Sequence, residues 1–72
     1  MNTLISFTQT SYGTYKVVIK DAYGELHTVR TNDVEAIDRI REAGRNMASN
    51  NDGTYEALRN ELADALAAVN NI

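Results

Sequence analysis

Cysteine is absent from the 72 residues, which excludes disulfides, a thiolate nucleophile and cysteine-ligated zinc. Histidine occurs once, at His27, so a paired-imidazole metal site is excluded as well. Long apolar runs are missing too. None approaches the roughly 20 residues that a membrane-spanning helix needs. The opening MNTLISFTQT has neither a basic start nor an extended apolar core, so no signal peptide is expected. These absences point to a soluble, cytoplasmic protein that does not meet a membrane. A chain of this size forms one domain, residues 1–72, and buries only about 60% of its unfolded surface.

The charge that is present is unevenly placed. The formal net charge is −3. Residues 1–31 carry Lys16, Lys20 and Arg30 against Asp21 and Glu25. Residues 32–72 carry Arg39, Arg41, Arg45 and Arg59 against eight carboxylates. A chain with this balance is repelled by nucleic acid unless its cations gather on one face. Its acidic part is suited to basic protein surfaces, including those that hold nucleic acid.

Two Tyr-Gly pairs, in TSYGTY and DAYGEL, lie between alternating apolar runs. With Gly13 and Gly24 as left-handed residues, each closes a three-residue hairpin loop, Ser11-Tyr12-Gly13 and Ala22-Tyr23-Gly24. The first loop then pairs Thr10 with Thr14, Gln9 with Tyr15, Phe7 with Val17 and Ile5 with Ile19. The second pairs Asp21 with Glu25, Ile19 with His27, Val17 with Val29 and Tyr15 with Thr31. Both counts put Ile5, Phe7, Tyr15, Val17, Ile19 and Val29 on one face, the register that a buried face requires. Leu4, Ser6, Thr8, Lys16, Val18, Lys20, Leu26, Thr28 and Arg30 fall on the other. The two loops sit at opposite ends of the meander, so Tyr12 and Tyr23 are separate candidate contact points. Neither glycine leads into a helix, which disfavours a phosphate cradle.

After Arg30 the apolar period changes from two to three or four. Asn32 with Glu35 has capping-box spacing, opening a helix over about 33–48 with Val34, Ile37, Ile40, Gly44 and Met47 inward. Gly44 costs helix stability but permits close packing against a neighbour. SNNDG then breaks the chain. Thr54 or Asp52 caps a second helix over about 54–69, with Tyr55, Leu58, Leu62, Ala65 and Val69 inward and Leu66 beside them. The predicted fold is α+β: a three-stranded antiparallel meander (about 3–10, 14–21 and 25–31) followed by two helices on one face.

Few residues suggest chemistry. His27 stands near Asp21 and Glu25 and could serve as a general base oriented by a carboxylate. As an isolated histidine at a strand end it reads more simply as a border residue, its ring partly packed. NNDG lacks the alternating acidic positions of a calcium loop, and the remaining carboxylates have no recognised ligand spacing. No catalytic residue, metal or cofactor is expected. On the helices, Glu35–Arg39, Asp38–Arg41 and Glu42–Arg45 have pairing distances worth about 0.2–0.5 kcal/mol each. An acidic stripe of Asp38, Glu42, Glu56, Glu61 and Asp64 is the binding alternative. Ala63, Ala67 and Ala68 form a small-residue surface on which two copies could pack as a homodimer.

The stretch GTYKVVIKDAYGELHTVRTNDVEAIDRIREA, residues 13–43, resembles the arm-DNA-binding domains of phage-type tyrosine integrases. That resemblance implies a sheet face entering the major groove, with Lys16, Lys20 and Arg30 as DNA contacts. In size, acidity and compact α+β build, the whole chain resembles the small proteins, anti-CRISPR proteins included, with which phages block bacterial defence or host machinery. This second resemblance implies a non-enzymatic inhibitor of a protein partner, including one that itself binds nucleic acid. The contact would use the sheet face (Lys16, Val18, Lys20, Thr28, Arg30) or the acidic helices. Direct DNA binding is the alternative function.

Overall fold

The computed structural model describes residues 2–46 and 53–72. Three antiparallel strands, β1 (Thr3–Ser11), β2 (Thr14–Lys20) and β3 (Leu26–Thr31), form one sheet in the order β1-β2-β3. Two helices follow, α1 (Val34–Arg45) and α2 (Thr54–Val69). The Cα envelope measures 35 × 31 × 15 Å, thick enough for one sheet and one layer of helices. Both helices therefore share one sheet face and leave the other open. The expected α+β meander with two helices is the observed fold.

The β2–β3 ladder follows the expected register: Ile19 opposite His27, Val17 opposite Val29, Tyr15 opposite Thr31. Gly24 closes its turn at φ 85°, and Asp21 pairs with Glu25 through a backbone bond of 2.9 Å. The β1–β2 ladder keeps Phe7 with Val17 and Gln9 with Tyr15, but departs on both sides. At the loop, Ser11 pairs with Thr14 around Tyr12-Gly13, so Thr10 drops out of the ladder and the turn has two residues instead of three. Gly13 keeps the left-handed φ of 77°. At the other end the ladder shifts between Leu4 and Ser6, and Leu4 faces Ile19.

That shift corrects the expected core. Leu4 is fully buried, whereas Ile5 is 44% exposed. A bulge at Ile5 lets Leu4 and Phe7, three residues apart, reach the same face. Strict alternation would have buried Ile5 and exposed Leu4. The core is Leu4, Tyr15, Val17, Ile19 and Val29 from the sheet, with Ile37, Ile40, Leu62, Ala63 and Leu66 from the helices.

Helix α1 is capped by Asp33, not Asn32: its side chain accepts from the Ala36 N–H at 3.1 Å, while Thr31 Oγ1 accepts from the Asp33 N–H. The later cap places Ala36, not Glu35, at the third helical position, so no capping box forms. Ile37 and Ile40 are buried as the stripe requires. Gly44 meets α2: a Cβ there would stand 3.1 Å from the Tyr55 ring, the close approach that a glycine allows. Met47 and the far end of the expected first helix lie outside the described residues, as do Asp52 and most of SNNDG.

Helix α2 has the expected bounds but a different cap and a partly different inward face. Gly53 precedes it at φ 81°, without a side-chain cap bond. Leu62, Ala63, Leu66 and Ala67 are buried, Tyr55 and Leu58 half-buried, and Ala65 exposed. Val69, the last helical residue, is 80% exposed because it lies past the end of the core. The small residues Ala63 and Ala67 thus bring α2 close to its neighbours inside the molecule. They form no surface on which a second copy could pack; of the three alanines only Ala68 is exposed. Asn71, at φ 58°, ends the helix with Ile72 N–H donating to the Ala67 carbonyl at 2.9 Å, a Schellman closure.

Candidate binding surface

The sheet face turned away from the helices is ordered by the ladder. Ser6, Val18 and Thr28 form its middle row, with Thr8, Lys16 and Arg30 on one side and Thr3, Lys20 and Leu26 on the other. Strand alternation puts every one of these on the free face because the core takes the residues between them. Lys16, Lys20, Thr28 and Arg30 are exposed, Val18 is half-buried, and Leu26 is 61% exposed. The five sheet-face residues singled out in the sequence are therefore brought together. Leu4, expected at their rim, is not among them.

The face carries three cations and no carboxylate in its three rows. Lys16 stands directly opposite Arg30. Like charges in that relation weaken a sheet. Among the described residues, the side chains of Lys16, Lys20 and Arg30 have no hydrogen-bond or ion-pair partner.

The acidic residues are arranged differently. Asp38 and Glu42 on α1, and Glu56, Glu61 and Asp64 on α2, are all exposed. Asp64 accepts from the Asn2 backbone N–H at 3.2 Å and from its side-chain amide at 3.1 Å, tying the start of the chain to α2. The cleft between the helices is lined by Arg39 together with Glu42 on one stretch and Glu61 on another. The acidic stripe is thus interrupted by a cation. None of the expected i, i+3 or i, i+4 ion pairs closes to 4.0 Å among the described residues.

Two helix arginines instead turn to the sheet. The Arg41 guanidinium lies over the rings of Phe7 and Tyr15, at 5.6 and 5.3 Å, and donates to Tyr15 Oη at 3.1 Å. Arg59 lies over Tyr55, donates to its hydroxyl at 2.8 Å and also donates to the Leu4 carbonyl beside the bulge. With Arg41 and Arg59 engaged in this way, the outer helical surface keeps Arg39 and Arg45 against its carboxylates. The molecule is polarised, basic on the sheet and acidic on the helices.

Tyr12 and Tyr23 are 100% and 96% exposed at opposite ends of the sheet. At the second tip, Asp21 Oδ1 accepts from the N–H groups of Tyr23 and Glu25, and Oδ2 meets His27 Nε2 at 2.7 Å. The hydrogen bond from His27, then that from the Glu25 N–H, holds the Asp21 carboxyl below its usual range. Glu25 joins them, so the three residues that stand near one another in the sequence form a cluster of potential donors, although no metal was expected from their spacing. Spacing i, i+4, i+6 across a hairpin was the available signal.

The fold and surface define a small two-layer α+β protein with one uncovered sheet face. Searches of protein families, of curated proteins and of solved structures find no match to the chain. No described helix is long and apolar enough to cross a membrane.

Proposed function

We propose that the protein is a non-enzymatic protein-binding module whose free sheet face docks on a partner, with Lys16, Val18, Lys20, Thr28 and Arg30 as the contact. The observation carrying this reading is the composition of that face: three cations whose side chains have no partner among the described residues, one like-charged pair and no carboxylate around a partly apolar middle. A partner surface with an acidic rim around an apolar patch complements it. Docking would relieve the Lys16–Arg30 repulsion and bury Val18 and Leu26. The helical carboxylates steer the complex by repelling anionic surfaces from the opposite side. The small size, acidity and compact build further support an inhibitor that covers a functional surface of a bacterial defence or host complex, of the anti-CRISPR kind.

Direct DNA binding is the second reading, favoured by the opposed Lys16 and Arg30. Phosphate contacts dominate such affinity, and three cations on a chain of net charge −3 supply few. Affinity capture from bacterial lysate, with and without nuclease, separates the two. A protein catch that survives nuclease and is lost in the Lys16→Glu/Arg30→Glu variant supports the protein reading. A nuclease-sensitive catch supports the second.

A further inference from the structure

The second hairpin tip holds a constellation that the docking surface does not use. Asp21, Glu25 and His27 each offer a donor atom, and these atoms lie within 4.8 Å of one another. The turn itself divides the labour of Asp21. Its Oδ1 accepts two backbone N–H groups at 2.9 Å each, fixing the carboxylate, and its Oδ2 faces His27 Nε2 at 2.7 Å. Backbone bonds from Asp21 N–H to the Glu25 carbonyl and from Gly24 N–H to the Asp21 carbonyl hold the loop around it. The carboxylate and the imidazole are therefore positioned before any ligand arrives.

We propose that this tip binds a divalent transition-metal ion through Asp21 Oδ2, a Glu25 carboxylate oxygen and His27 Nε2. The imidazole nitrogen distinguishes the cluster from the oxygen-only carboxylates of the helices, and a mixed N/O set suits zinc, copper or nickel over magnesium or calcium. Metal–donor bonds of about 2.0–2.2 Å place neighbouring donors about 2.9 Å apart at a right angle and about 3.4 Å apart in a tetrahedron. The 2.7 Å contact needs to open by only a few tenths of an ångström for the first arrangement. The ion takes the place of the proton between Nε2 and Oδ2. An imidazolium releases that proton to solvent and retains the one on Nδ1, whereas a neutral ring with its single proton on Nε2 shifts to the Nδ1 tautomer by exchange with solvent. Two carboxylates balance the dication, and the coordination positions left over face solvent at an exposed tip.

The test follows the His27 ring resonances by NMR while the full-length, tag-free protein is titrated with zinc chloride, with magnesium chloride in parallel. The expected result is a saturable zinc-dependent change of the ring signals at one equivalent and no change with magnesium. By isothermal titration calorimetry, which needs no imidazole signal, His27→Ala, Glu25→Gln and Asp21→Asn each weaken zinc binding by roughly tenfold or more. Asparagine retains an acceptor for the two turn N–H groups, so loss of binding in Asp21→Asn is not loss of the hairpin. Ring signals unmoved by excess zinc overturn the proposal. So does zinc binding that is unchanged in His27→Ala, which assigns the ion to the acidic helices. The wild-type titration decides even where a variant fails to fold.

Discussion

Arg59 and Glu61 stand two residues apart on α2, yet only the arginine is built into the structure. Its guanidinium caps the Leu4 carbonyl at the bulge and stacks on Tyr55. Arg59→Ala leaves a carbonyl and a hydroxyl without their donor, and a loss of about 1–3 kcal/mol is expected in urea unfolding. Arg59→Lys keeps the charge but not the planar fork, and should recover only part of it. A surface-charge change such as Glu61→Gln should fall within about 0.5 kcal/mol of wild type. Asp21 makes a second prediction. Its carboxyl is held below the ordinary value of about 3.9, chiefly by His27, so it favours the folded state above that pH. The contribution disappears as pH falls through the lower folded value. Below about pH 4, the urea midpoint of wild type should therefore fall more steeply than that of Asp21→Asn. Parallel curves would remove Asp21 from the acid response. The Arg41 contacts were not legible in the sequence, because helical spacing offers that arginine an acidic neighbour and says nothing about rings on another element. Tyr55 and Arg59 have i, i+4 spacing on α2, but the Leu4 carbonyl that Arg59 also reaches does not follow from it.

At the scale of elements, β2 and β3 were readable because the Gly24 turn fixes their pairing and the count from it puts Tyr15, Val17, Ile19 and Val29 on one face. β1 was not, since Leu4 and Ile5 are adjacent and equally apolar, and either satisfies an alternating pattern. The bulge settles which one is buried. Leu4→Ala should cost about 2–5 kcal/mol. Ile5→Ala should cost clearly less, since that side chain is already half in water. The reverse order in thermal or urea unfolding would restore the unbulged ladder. The helices show the same kind of limit. Asn32 and Asp33 are both good caps, and only the Thr31 hydroxyl beneath Asp33 distinguishes them. In α2 the expected Tyr55, Leu58, Leu62 and Leu66 do face the core, but Ala63 and Ala67 join them in place of Ala65 and Val69, because small side chains carry little apolar signal.

At the scale of the whole molecule, the two layers separate charge. The sheet face was legible because alternation fixes it once the core rows are known. Of its residues, only Leu4 was misplaced. The helical carboxylates were legible as exposed residues, but their interruption by Arg39 and the use of Asp64 to hold Asn2 depend on how the helices lie together. A polarised molecule that docks by its basic side should associate more slowly as salt rises, with a dependence that charge reversal on the sheet abolishes. The most direct test is the affinity of the captured partner for wild type, for Lys16→Glu/Arg30→Glu and for Glu42→Lys/Glu61→Lys, measured by surface binding at fixed salt. Sheet-face docking predicts roughly tenfold or greater weakening in the first variant and little change in the second. Full affinity in the first variant, with loss in the second, would contradict it and place the contact on the helices.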